Sequence, residues 1–240
     1  MRIGIIAEGP ADLAVVTNIL RGTLGVSQHE VQPLRPDLYL DETDLARVAD
    51  RFGNWAIVRQ ECQAGTKIAD FMASPVDDGP RMVVIQIDTA EAHLYGVERP
   101  TKERADSGAY ADELRARVAA TICDWLDERW HRACCHAIAI EEIDAWVLTV
   151  WEPGRDSAIS ANPKQRLTRV WSDKVSDKDR RRLTALKARS EYDLFDELSK
   201  ALRKGGELRR AGQDNRSLAA FVASIARWSD EQAPPCPGCI

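Results

Sequence analysis

The sequence predicts an α/β protein: a Rossmann-like parallel sheet flanked by helices, followed by a basic helical lobe. Three stretches predict it. The first, Met1-Arg-Ile-Gly-Ile-Ile-Ala-Glu8-Gly9-Pro10-Ala11-Asp12, is an apolar run that stops on an acid, a glycine and a proline. It reads as a strand covered on both faces, a tight turn and the first position of a helix. The second, Met82-Val-Val-Ile-Gln-Ile87, is an unbroken, largely β-branched strand that ends in Asp88-Thr89-Ala90-Glu91. The third, His136-Ala-Ile-Ala-Ile140, runs straight into Glu141-Glu142-Ile143-Asp144-Ala145-Trp146. Each apolar strand therefore ends in acids, and open α/β sheets place their ligands at the carboxyl ends of their strands.

Taken in order, the pattern predicts a helix over 10–21 and a strand over 30–34. A helix is expected over 41–52, with Leu45, Val48, Ala49 and Phe52 on one face. A strand is expected over 55–59 and a short helix over 68–73, which Ser74-Pro75 and Asp78-Gly79-Pro80 stop. Gly65, Thr66 and Lys67 precede that helix and could hold an anion at its N-terminus, although a single glycine before the lysine is no Walker loop and an ordinary helix start explains them better. A long amphipathic helix over 108–130, with Leu114, Val118, Ile122, Trp125 and Leu126 inward, supplies the crossover between the second and third strands. Further helices are expected over 163–171, 177–189, 191–202 and 217–228. The division is an α/β core over 1–150, a basic lobe over 151–232 and a flexible Pro/Cys tail over 233–240.

Composition sets the class. Of 240 residues, 44% are hydrophobic and 30% charged, ordinary for a globular chain with one sizeable core. No apolar run reaches the roughly 18 residues of a membrane helix, and the chain opens into a strand rather than a charged signal sequence, so a cytoplasmic address is expected. The six cysteines lack a secreted-domain pattern and read as mostly reduced and structural; one Cys236-Pro-Gly-Cys239 pair is weak evidence for zinc or redox chemistry. Net charge is −5 overall, yet fifteen Lys and Arg stand against eight Asp and Glu between Lys164 and Arg210. An acidic core thus carries a basic segment, which is either a phosphate-handling face or a solvated helical surface.

Glu8, Asp12, Asp88, Glu91, Glu142 and Asp144 are the candidate ligands of a hard divalent cation, Mg2+ or Mn2+, which needs only one or two carboxylates beside substrate phosphates. Glu8 and Asp12 equally suit helix capping. Lys67, Lys164 and Arg166 are the candidate phosphate contacts. His93 and His136 lie near the acids and read as structural or exposed. There is no G-x-S-x-G elbow and no Ser/His/Asp triad.

A strand ending in Glu8-Gly9-x-x-Asp12, followed by a Val/Ile strand ending in Asp88, resembles the Toprim domain of topoisomerases, DnaG-type primases and the OLD and RNase M5 nucleases. The chain looks most like the small Toprim-like proteins of the DUF4276 type, through Ala64-Gly65-Thr66-Lys67, Ile140-Glu-Glu142-Ile-Asp144-Ala-Trp146, Asn162-Pro163-Lys164 and Asn215-Arg-Ser217-Leu-Ala-Ala-Phe221-Val222. That resemblance implies a metal-dependent nuclease with Glu8 as general acid or base and Asp88 on Mg2+ or Mn2+. It also implies nucleic acid as partner, a partner ATPase or self-association, and a place in phage defence or mobile elements. Two departures stand out. Asp88-Thr89-Ala90 lacks the second acid of the family's Asp-x-Asp, with Glu91 or Asp12 as stand-ins, and Asp144 replaces a Glu before Ala-Trp. A non-catalytic regulator that binds nucleic acid, a nucleotide or a partner protein is the rival reading.

Overall fold

The structure, a computed structural model, describes residues 1–36, 54–75, 79–101, 107–155 and 161–231. The helix expected over 41–52 and the tail over 233–240 lie outside the described residues. Four strands, β1 (Arg2–Ile6), β2 (Val31–Arg35), β3 (Arg81–Asp88) and β4 (Cys134–Ala139), form one parallel sheet in the order β2-β1-β3-β4. This is the α/β, Rossmann-like architecture the apolar runs predict.

Strand side chains alternate between faces, and each face of this sheet has its own cover. Ile3, Ile5, Met82, Val84, Ala137 and Ala139 point to a core built with α1 (Pro10–Leu24), α5 (Asp144–Trp151) and the later helices. Those are α6 (Pro163–Lys174), α7 (Asp177–Arg189), α8 (Glu191–Leu198), α9 (Gly205–Asp214) and α10 (Arg216–Glu231). Ile6, Val83, Ile85, Ile87 and Ile138 point to the opposite core, with α2 (54–64), α3 (Thr66–Ala73) and α4 (Ser107–Trp125). Leu167, Trp171, Leu198 and Phe221 share the first core with β1 and β3. The helical segment after Trp151 thus closes one face of the sheet, and does not bury its apolar residues in a core apart from it.

Three expectations are corrected. Residues 55–59 are helical, because Trp55, Val58 and Cys62 recur at i, i+3 and i+7 and this period outweighs the β-branched residues between them. The helix expected over 108–130 stops at Trp125; Asp127 then caps a short 3-10 turn, Glu128–Trp130, through the N–H of Arg129. The helix expected over 191–202 stops at Leu198, before a 3-10 turn at Lys200–Arg203, and α9 follows in a stretch where no helix is expected. Cys62, Cys134 and Cys135 are buried and outside any disulfide, whereas Cys123 is disulfide-bonded. No helix among the described residues is long and apolar enough to cross a membrane.

Helix α1 fixes the later helices to the sheet through polar as well as apolar contacts. Asn18, fully buried, donates to Asp196 O at 3.0 Å and Ser199 Oγ at 2.7 Å and accepts from Arg203 Nε at 2.6 Å. One turn on, Gly22 lies against the backbone carbonyl of Leu202, and a Cβ there would overlap that oxygen. Gly22→Ala is therefore expected to destabilise the fold by about 1–3 kcal/mol despite its better helix propensity, since backbone must move to admit the methyl. Thermal melting checks it; an unchanged or raised midpoint would show that the two segments separate freely.

Candidate functional site

The parallel register brings the acids together. Ile6 of β1 stands opposite Ile85 of β3, so Glu8 and Asp88 emerge side by side from neighbouring strands. Asp88 also pairs with Ala139 of β4, and the chain leaves β4 through Ile140 and Glu141 to open α5 at Asp144. Gly9 and Pro10 turn the chain from β1 into α1, which places Asp12 in its first turn. Glu8, Asp12, Asp88 and Asp144 therefore share the carboxyl edge of the sheet, as expected. Asp12 is 8% exposed and Asp144 6%, whereas Glu8 and Asp88 keep part of their surface open.

Burial and mutual repulsion mark the cluster electrically. Burial pushes Glu8 up from 4.5 to about 8, with the charges of Asp12 and Glu91 adding to it and the Asp88 N–H and Arg35 opposing it. Asp12 rises from 3.8 to about 7, first through burial and then through Asp144, partly offset by the N–H groups of Asp12 and Gly9. Asp88 is raised well above the usual carboxylate range by burial, then by Asp12, Glu8 and Asp144. Asp144 reaches about 6 through burial and Glu142, with Lys164 pulling the other way. Buried carboxyl groups whose affinity for a proton is raised by neighbouring acids would also gain from a cation.

A closed ring of hydrogen bonds ties the two strand tips. The Glu8 N–H donates to Gln86 Oε1 at 2.9 Å, Gln86 Nε2 donates to Asp88 Oδ1 at 2.8 Å, and the Asp88 N–H donates to Glu8 Oε1 at 2.7 Å. Ile143 N–H reaches Asp88 Oδ2 at 3.3 Å. On the other side of Glu8, the buried Arg35 guanidinium donates to Ala7 O and, at 2.8 Å, to Glu8 O. Asp12 Oδ1 is buried and accepts no hydrogen bond.

The loop that carries Asp144 is held by a second set of contacts. Glu141 adopts a left-handed backbone, φ 63°, which costs a non-glycine residue about 1–3 kcal/mol and needs support. Arg99 supplies it, donating to both Glu141 carboxylate oxygens at 2.8 and 3.1 Å and to Thr89 O and Ala90 O at 3.0 Å. Thr89 Oγ1 accepts from Glu141 N–H at 2.8 Å, and Ala90 N–H donates to Glu141 O at 2.9 Å.

The remaining expected site residues divide. Glu91 is exposed, and its charge acts on Glu8. Glu142 accepts from the Lys164 N–H at 3.3 Å, which brings the start of α6 and the Lys164 charge to the acids. Arg166 pairs instead with Glu152 at 2.6 Å, together with Lys174 at 3.1 Å. Lys67 pairs with Glu61 at 2.6 Å, and no described contact joins it to the acidic edge. Arg180 pairs with Asp177 and Arg182 with Glu197, so both are tied within the later helices. His136 sits on β4, where burial first, then His131 and Arg115, lowers it to about 4. Gln86, Arg35 and Arg99 were not singled out in the sequence, although an amide inside an apolar strand and an arginine closing another are both groups that must find partners when buried.

Among the described residues no three His, Cys, Asp or Glu side chains close on one point as ligands of a single ion. The donor set nevertheless suits a hard cation: all its atoms are carboxylate oxygens, one of them buried without a partner. No family model, curated protein or solved structure matches the chain.

Proposed function

We propose that the chain is a Mg2+- or Mn2+-dependent phosphodiesterase acting on nucleic acid, as its resemblance to the Toprim nucleases implies. The observation that carries this reading is the meeting of Glu8, Asp12, Asp88 and Asp144 at the carboxyl edge of neighbouring parallel strands, each with its proton affinity raised. Asp12, Asp88 and Asp144 would hold the cation beside Glu8, and Glu91 and Glu142 would add charge at the rim. When bound, a divalent cation stabilises negative charge on a phosphate undergoing displacement. Without a cation Glu8 is lifted to about 8 and holds a proton at neutral pH; beside the cation its role is general acid or base to the reacting oxygens. Its Oε1 already accepts from Asp88 N–H, so that proton sits on Oε2. Lys164 offers a positive charge beside the same acids. A cytoplasmic setting, a partner ATPase or self-association, and a phage-defence or mobile-element context belong to this reading.

One observation favours a non-catalytic regulator. The stretch where the family carries its second acid is sealed into the fold, with Thr89 Oγ1 and Ala90 N–H both committed to Glu141. The deciding experiment incubates purified protein with single- and double-stranded DNA and RNA in Mn2+, Mg2+ or EDTA and follows melting in parallel. Cleavage that needs the cation supports the nuclease. A Mn2+-induced rise in melting temperature without cleavage assigns the edge to binding alone, and neither response rejects the metal site.

A further inference from the structure

We infer that Gln86 is a positioning residue that fixes the relative placement of Glu8 and Asp88. The inference rests on the proposed reading of the acidic edge as a functional site. Gln86 is fully buried at the second position before the strand tip, between Ile85 and Ile87 in a strand whose interior is otherwise apolar. A buried amide in such a place must have all its demands met.

Bond direction around the ring leaves one arrangement. A backbone N–H only donates, so the atom facing Glu8 N–H is the Gln86 oxygen, and its NH2 group faces Asp88. For the same reason the Asp88 N–H makes Glu8 Oε1 an acceptor. The ring therefore engages one oxygen of each carboxyl group, and Ile143 N–H engages the second oxygen of Asp88. Glu8 Oε2 and Asp12 Oδ1 have no protein donor, and both are among the atoms available to a cation or a substrate. Gln86 makes two of the ring's three bonds. The third, from Asp88 N–H to Glu8 Oε1, survives only while the other two hold both tips in register.

Amide hydrogen exchange on the full chain tests this without any assumed activity. In Gln86→Leu, exchange at the Asp88 N–H is expected to rise by about tenfold or more, although residue 86 does not touch that proton. The Val83 N–H, bonded to Ala133 O at the far end of β3, serves as control and is expected to stay slow. Mn2+ alone, titrated by calorimetry, is expected to bind about 10–100-fold more weakly, the usual loss when a group that orients a metal ligand is removed. Unchanged Asp88 exchange, or unchanged Mn2+ affinity in the variant, overturns the inference. Wild-type protein that takes up no Mn2+ removes the metal reading alone, while the exchange result still decides the role of Gln86. Should Gln86→Leu not fold, a scalar coupling between the Glu8 amide nitrogen and the Gln86 side-chain carbonyl carbon in wild-type protein reports the ring directly, and its absence overturns the inference.

Discussion

Glu8→Gln is expected to lower cation-dependent cleavage by about 100- to 10,000-fold, the range for losing a general acid, while the protein without metal melts a few degrees higher near pH 8. The two effects share one cause. Glutamine keeps an oxygen for the Asp88 N–H, so the ring of hydrogen bonds survives, yet it has no proton to give from the outer position. It also removes a carboxyl group whose ionised form burial and Asp12 oppose. Asp88→Asn is expected to cost activity too, but with less gain in stability. Both Asp88 oxygens accept, from Gln86 Nε2 and from Ile143 N–H, and an asparagine leaves one donor facing another. Single-turnover cleavage and melting with EDTA check both variants. Glu8→Gln with wild-type cleavage would remove Glu8 from the chemistry.

How far this site could be read from the sequence depended on the range of the interactions that make it. β3 was legible because a contiguous β-branched run has few alternatives, and Pro10 marked the start of α1 where it occurs. The helix over 54–64 was misread because Ile57 and Val58 imitate a strand locally, while the spacing from Trp55 to Cys62 that decides it extends past the run. Each acid could be placed at a strand tip, but their meeting depended on β1 lying between β2 and β3, a matter of strand order that no local pattern carries. Gln86 acts on Glu8 across 78 residues, and Arg35 acts on the same residue across 27. The expected phosphate contacts went astray at Arg166 and Lys67 for a similar reason. Their partners, Glu152 and Glu61, are set by how neighbouring helices pack, and a count of basic residues is blind to that.

The same cluster predicts an unusual response of stability to pH. With EDTA present, the melting temperature is expected to fall by about 4 °C for each pH unit between roughly pH 6.5 and 8, taking about 1.4 kcal/mol per proton per unit and 2–4 °C per kcal/mol for a chain of this size. The sign follows from proton counts. Glu8 moves from 4.5 unfolded to about 8 folded, and Asp12 from 3.8 to about 7, so over this range the folded chain holds protons the unfolded chain has lost. Stability then declines as pH rises, and the contribution is spent once pH passes the folded values. Below about 6.5 the opposite case enters: His136, lowered to about 4, refuses a proton that the unfolded chain accepts, which costs stability on acidification and flattens the curve. Glu8→Gln should make the alkaline limb shallower, because one of the carboxyl groups with raised proton affinity is gone, and leave the His136 limb in place. Mn2+ at pH 8 should restore the lost stability if it replaces the protons, since a divalent charge relieves the same repulsion. A melting temperature that stays level from pH 6.5 to 8 in wild-type protein would mean that the carboxyl groups keep ordinary proton affinities in the folded chain, and the edge would lose the electrostatic character on which both its metal binding and its acid chemistry depend.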